Sequence, residues 1–110
     1  MIEAGELDRG VTIRRATAII DPGSGQQIET WVDLATVWAS WRRASAREQL
    51  AAAEIQAAVT DVFIVRWSAT TATFTPEDRL VYQGREYNLA EATEIGRREG
   101  MLLRGSARAE

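Results

Sequence analysis

Two pairs of acidic residues are the first places to look for chemistry in this sequence. Glu77 and Asp78 are adjacent and could hold a hard cation through their carboxylates. Glu91 and Glu94 could, as any two carboxylates could, divide the work of acid and base in glycoside hydrolysis. No EF-hand pattern surrounds the first pair, which reads as exposed turn residues, and nothing beyond acidity marks the second. The chain has no histidine and no cysteine. It therefore lacks the commonest general base, the commonest metal ligand and the thiolate. Its positive side chains are all arginine, so a Ser–Lys arrangement is excluded as well. Neither G-x-x-x-x-G-K-[ST] nor G-x-G-x-x-G occurs, and the glycines at 84, 96, 100 and 105 read as punctuation. The sequence predicts no enzyme, no metal and no cofactor.

A second kind of chemistry is base stacking. The stretch "ETWVDLATVWASWRR" holds Trp31, Trp38 and Trp41, three of the four tryptophans, and ends in Arg42 and Arg43. With Arg97 and Arg98 these could line the groove of a small OB-like barrel that binds single-stranded nucleic acid. The net charge of −3 and the spread of the other aromatics over apparent core faces oppose that reading. The plainer one makes the tryptophans core or interface residues and the arginines solvated.

The elements that must position these residues are mostly strands. Residues 11–20 alternate, with Val11 and Ile13 on one face and Thr12 and Arg14 on the other. Asp21, Pro22, Gly23, Ser24, Gly25, Gln26 and Gln27 form a loop, and Ile28 resumes the pairing as a hairpin. "TVWASW" follows β-branched residues without a helix start signal, so it is a strand. Val37, Ala39 and Trp41 then face one way and Trp38 and Ser40 the other. A large aromatic on the outer face needs cover, since leaving it in water costs roughly 1.5–3 kcal/mol. Ser45 and Glu48 fit a capping box at the start of a helix over about 46–58, with a thin apolar stripe of Leu50, Ala53 and Ala57. Residues 59–67 form a central strand, with Phe63, Val65 and Trp67 opposite Val62 and Ile64. A polar connection ending in Pro-Glu-Asp follows. Gln83 and Gly84 then make a tight hairpin that sets Leu80 opposite Tyr87 and Tyr82 opposite Arg85. A turn from Gly96 to Gly100 leads to a short strand at 101–104, and residues 106–110 read as a frayed tail.

The chain's 110 residues suit a single domain, and 45% hydrophobic content with 26% charged residues suits a globular one. No run approaches the length of a membrane span, and the acidic start "MIEAGELDRG" is unlike a signal peptide. The fold predicted is mainly β: a small antiparallel β-barrel of about six strands with one short α-helix and a long loop.

Five pieces in order make the sequence similar to the phage head–tail joining proteins, also called head-closure or stopper proteins. "GELDRGVTIRRAT" resembles the family's G-x-L-R-x-R-V-T-I-x-R opening, and "ETWVDLATVWASW" its T-W and V-W-A segment. "SAREQLAAAEIQAAVTDVFIVRW" resembles its S-G-R-E block, with Ala46 in place of the usual glycine, and "TPEDRLVYQGREYNLAEATEI" its G-R hairpin. The Asp/Gly loop lies between the first two. The resemblance implies a non-enzymatic virion protein of the neck, made in the bacterial cytoplasm. It implies a ring of sixfold or twelvefold symmetry between the portal–adaptor end of the head and the tail terminator or tail tube. Double-stranded DNA would pass through the lumen without sequence-specific binding, and no membrane is involved. A tail terminator or minor tail protein is the alternative role, ahead of the nucleic-acid binder. On this resemblance the loop at 21–27 is a contact or gating element, and segment 97–110, with Arg97 and Arg98, meets the next ring. Of Trp38 and Trp41, the outward one is expected beneath the helix first, or beneath a neighbouring subunit. A phage, a prophage and a gene transfer particle are equally compatible with the sequence.

Overall fold

The computed structural model describes Gly5 and residues 7–108. The described residues form six strands and one α-helix: β1 (Arg9–Ile20), β2 (Gln27–Arg43), α1 (Ala46–Glu54), β3 (Asp61–Arg66), β4 (Arg79–Tyr82), β5 (Arg85–Ile95) and β6 (Gly100–Ala107). They close into an antiparallel barrel in the order β1-β2-β3-β6-β5-β4. This is the mainly β barrel with one short helix that the sequence predicts.

Alternation supplies the core. Val11, Ile13, Ala39, Phe63, Val65, Leu80, Leu89 and Leu103 point inward and are buried, while their chain neighbours form the outer wall. Tyr82 and Tyr87 meet Phe63 edge-on, with ring centroids 5.5 and 5.4 Å apart, a favoured aromatic geometry. The β4–β5 hairpin has the expected register, Leu80 with Tyr87 and Tyr82 with Arg85. Gln83 and Gly84 take positive φ of 52° and 77°, as a two-residue hairpin turn matching strand twist requires.

Two bulges adjust the barrel. In β2, Leu34 is the extra residue between the pairs Ile13–Ala35 and Arg14–Asp33, and both Leu34 and Ala35 pack against the core. In β5, Ala90 is the extra residue between Leu89–Gly105 and Glu91–Arg104. There the backbone of β5 presses on β6: a Cβ at Gly105 would lie 2.2 Å from the Asn88 carbonyl oxygen.

The structure departs from the sequence reading at several points. The helix ends at Glu54 instead of continuing to 58. Gln56 turns to φ 58°, and the N–H groups of Ala57 and Gln56 bond back to the carbonyls of Ala52 and Ala53. This is a Schellman stop made without glycine. Its buried face centres on Ala52, leaving Leu50 and Ile55 exposed. The connection 68–78 is not simply polar: Phe74 joins the core and Thr71 is buried. Asp78, read as an exposed turn residue, is buried; its carboxylate takes paired hydrogen bonds from Arg15 at 2.9 and 3.0 Å and one from the Thr75 N–H at 3.0 Å. Finally, β6 runs through Ser106 and Ala107, which pair with Asn88 and Tyr87, and the Arg108 N–H bonds the Glu86 carbonyl. Of the expected frayed tail, residues 109 and 110 lie outside the described residues.

Gly105→Ala forces the β5–β6 bulge apart. We expect destabilisation of at least about 1–3 kcal/mol, the usual cost of overpacking, measured by urea unfolding. An unchanged midpoint would contradict the close approach.

Candidate assembly interface

β1 and β2 are longer than the barrel. Beyond Arg14, β1 keeps β2 as its single strand neighbour among the described residues, and ahead of Ala39 the same holds for β2. The excess forms a two-stranded arm, residues 15–32, along a molecule measuring 50 × 31 × 26 Å. The Leu34 bulge bends the arm's root, since an unpaired extra residue increases local twist. Arg15 fixes that root from the other strand by binding Asp78 and the Thr73 carbonyl. Trp31 stacks on the Arg79 guanidinium at 3.8 Å on the outer face.

Outward along the arm the protein offers little to cover its apolar residues. Ile19 faces Ile28 across the ladder, and Ile19, Ile20, Ile28 and Val32 are all exposed. Both arm edges carry unpaired backbone groups, a template for further pairing. The predicted loop is the arm's tip, and it is ordered by its own bonds. Asp21 accepts from the Gly23 N–H at 3.0 Å and the Ser24 hydroxyl at 2.8 Å, and the Gly25 and Asp21 N–H groups close the turn onto Asp21 and Gln26 carbonyls. These donors hold the Asp21 carboxyl below its usual range, the Gly23 N–H contributing most. Pro22 and Gln27 complete the segment, with Gln27 opposite Ile20.

Trp38 faces outward and is 65% exposed. It borders a hollow of about 430 Å³ with Leu7, Arg66 and Thr71. The expectation that the helix would cover it fails. α1 lies instead over Val62, Ala90 and Leu102, on a different part of the wall. A polar hub fixes it there. Glu48 accepts from Arg42 at 2.6 and 3.1 Å, from Arg104 at 2.7 Å and from the Ser45 N–H at 3.0 Å. The Glu48 N–H returns a bond to the Ser45 hydroxyl, completing the capping box, and Arg104 also binds Glu91. Arg42 is thus tied to the helix.

The other candidates are dispersed. Antiparallel order sends the arm and the turns after β3 and β5 to one end of the barrel, and the strand termini at Arg9, Arg43, Asp61, Tyr82 and Ala107 to the other. Arg97 and Arg98 lie in the turn at the arm end, where Arg98 covers Trp67 at 4.9 Å. Trp41 and Arg43 line the opposite mouth, and Trp41 donates to Asp61 at 2.8 Å. Trp38, Trp41, Arg42, Arg43, Arg97 and Arg98 therefore do not make one stacking platform. Among the described residues no cluster of acidic side chains could hold a metal ion.

Residues 2–107 match a family model described as phage head completion protein. The chain belongs to that family. Membership makes it a structural phage virion protein with a role in connecting head to tail. The fold has a solved counterpart in protein SF1141 from Shigella flexneri 2a, known from a solution structure. The two are 23% identical, the match covers 99% of each chain, and the TM-score is 0.79. No curated protein matches the chain.

Two features of this head completion protein escaped the sequence reading. Ile19, Ile20 and Ile28 look like ordinary strand residues, and only the early departure of β4 and β3 shows that they are uncovered. Glu48 was legible as a helix cap, but its partner Arg104 stands 56 positions away.

The Glu48 hub generates a pH prediction. Hydrogen bonds, chiefly from Arg42 and then the Ser45 N–H, push the Glu48 carboxyl far below its ordinary range, against the opposing effect of burial. A carboxyl depressed in the folded state adds stability above its unfolded pKa of about 4.3 and loses it as the pH falls below that value. Glu48→Gln should cost about 1–2 kcal/mol at neutral pH, the hub being partly exposed and screened. The gap from wild type should narrow steadily on acidification below pH ~4.3. A gap independent of pH in parallel unfolding curves would refute the role given to Glu48.

Proposed function

We propose that the protein is a ring subunit of the head-closure (stopper) type in the neck of a tailed phage, prophage or gene transfer particle. It joins the portal–adaptor end of the head to the tail terminator or tail tube, and it retains and then releases packaged DNA. One observation carries this reading: the arm at 15–32 leaves the barrel with both edges bare and Ile19, Ile20, Ile28 and Val32 in the open. Such a surface is a liability on a free monomer and an asset where copies adjoin. In a ring the contacts are heterologous, so one patch meets a different patch on the next subunit. The arm and the Trp38 face are two such patches. Trp38 is covered by the neighbouring subunit, the second of the two covers expected for it.

The tip at residues 21–27 is the element placed to reach an adjacent ring or the channel. It carries a carboxylate and no positive side chain. A loop of that charge lets DNA pass without binding its phosphates. No bond-making step is required, and none of the residue sets weighed above provides one.

The double variant Ile19→Asp with Ile28→Lys tests this directly, because it replaces the arm's exposed Ile19–Ile28 pair with an opposite-charge pair across the ladder. The expected result is an unchanged melting temperature for the isolated protein, together with heads that fail to join tails and lose DNA. Normal yields of joined, infectious particles would overturn the assignment of the arm to assembly. Electron microscopy of wild-type particles should show a closed ring in the neck, and absence of the protein from the neck would remove the proposal altogether.

A further inference from the structure

At the barrel end opposite the arm is a basin of about 540 Å³, walled by Trp41, Tyr82 and Tyr87 and rimmed by Arg9, Arg43 and Arg85. Its hydrogen-bonding capacity is unbalanced. Asp61, the carboxylate in its wall, is already engaged, one oxygen taking the Trp41 indole N–H at 2.8 Å and the other the Thr60 hydroxyl at 2.6 Å. The Tyr82 hydroxyl accepts from Arg9 at 2.9 Å, which leaves its own hydrogen to donate. Tyr87 is only 6% exposed, yet its hydroxyl has no hydrogen-bond partner among the described residues. The guanidinium groups of Arg43 and Arg85 likewise make no hydrogen bond or ion pair among those residues. The Arg43 and Arg85 side chains and the Tyr82 and Tyr87 phenols thus border a hollow whose carboxylate, Asp61, already takes one hydrogen bond on each oxygen.

We propose that this mouth receives an acidic, carboxylate-bearing peptide segment of another chain. Guanidinium forks match a carboxylate in geometry as well as charge, with two parallel N–H donors for its two oxygens. The indole and phenol walls supply apolar contact to the flanking side chains and polar tips to the backbone. The volume is that of a site for a small ligand or a few residues of chain. Duplex DNA fits less well, because a rigid double helix would touch the rim without entering, and it would approach a chain of net charge −3. The Tyr87 ring is buried while its hydroxyl opens on the hollow, where it can meet a molecule that enters. The proposal rests on the chemistry of the mouth and stands or falls separately from the ring assignment.

The test is a titration of the intact protein with three probes: a hexaglutamate peptide, a hexaglutamine peptide and a short DNA duplex. Hexaglutamate should bind and shift the Trp41 indole N–H resonance, while hexaglutamine should not. Arg43→Gln and Arg85→Gln should each weaken binding by about tenfold, the loss of one charge-assisted hydrogen bond. The paired Arg97→Gln and Arg98→Gln change at the other end should leave it unaltered. Melting temperatures should match wild type, since Arg43 and Arg85 are exposed. Equal binding of the two peptides, no binding of hexaglutamate, or indifference to the mouth arginines would each overturn the proposal. So would tighter binding of the duplex lost with the same arginines, which would make the mouth a nucleic-acid contact instead.

Discussion

The barrel closes along three residue pairs: Thr12 with Val81, Ile13 with Leu80, and Arg14 with Arg79. The enclosed core and the projecting arm both depend on this short seam. Without it β1 and β4 would be bare edges, and Ile13 and Leu80, both wholly buried, would open to water. So few ladder bonds are a weak closure by themselves, and arginine side chains brace both ends. Arg9 reaches the Tyr82 hydroxyl at one end, and Arg15 takes the buried Asp78 at the other. The second brace is the stronger because Asp78 is almost fully buried and its removal from water is offset only while Arg15 and the Thr75 N–H remain in place. The seam is short because β4 has only four residues. That same brevity frees β1 after Arg14 to continue into the arm. Closure and projection are two results of one register.

The parts of this fold legible in the sequence are those written in neighbouring residues. Gln83 and Gly84 set a turn, the turn set a register, and the register put Leu80, Tyr82, Tyr87 and Leu89 on one face, all of which are buried. Ser45 and Glu48 announced the helix start through a local reciprocal bond. What stayed hidden involves residues far apart or the choice of one extra residue. Nothing in "WVDLATV" marks Leu34 as a bulge, because the bulge reflects how β1 must meet β4 and β2 at once. The helix stop was missed because Gln56 takes a conformation usually signalled by glycine. Asp78 looked exposed because its partner, Arg15, stands 63 positions earlier.

The candidate site was legible by residue type more than by place. The sequence picked out the tip at 21–27, the two tryptophans and the arginine pairs, and the structure distributes them over both ends and one wall of the barrel. Trp38 and Trp41 separate because β2 is a strand there, which sends one ring outward and the other inward to the mouth. Arg42 and Arg43 part for the same reason, one to Glu48 and the other to the rim. A single groove would have needed all four on one face. The strand's period of two forbids it.

The resulting molecule is polar along its length in a sense beyond charge. One end projects an arm with exposed isoleucines and bare backbone edges, and the other carries the guanidinium groups of Arg43 and Arg85, unpaired among the described residues. The two ends are unlike: bare strand edges can pair with further strands, whereas free guanidinium groups need acceptors from elsewhere. In the ring proposed above, contacts that join unlike patches are heterologous, each patch meeting a different one on the next copy. A connector between two different structures needs this asymmetry, because it must present one surface toward the head and another toward the tail. The three-pair seam supplies it. By ending the barrel wall early on one side, it leaves the arm uncovered at one end while six strand termini gather at the other.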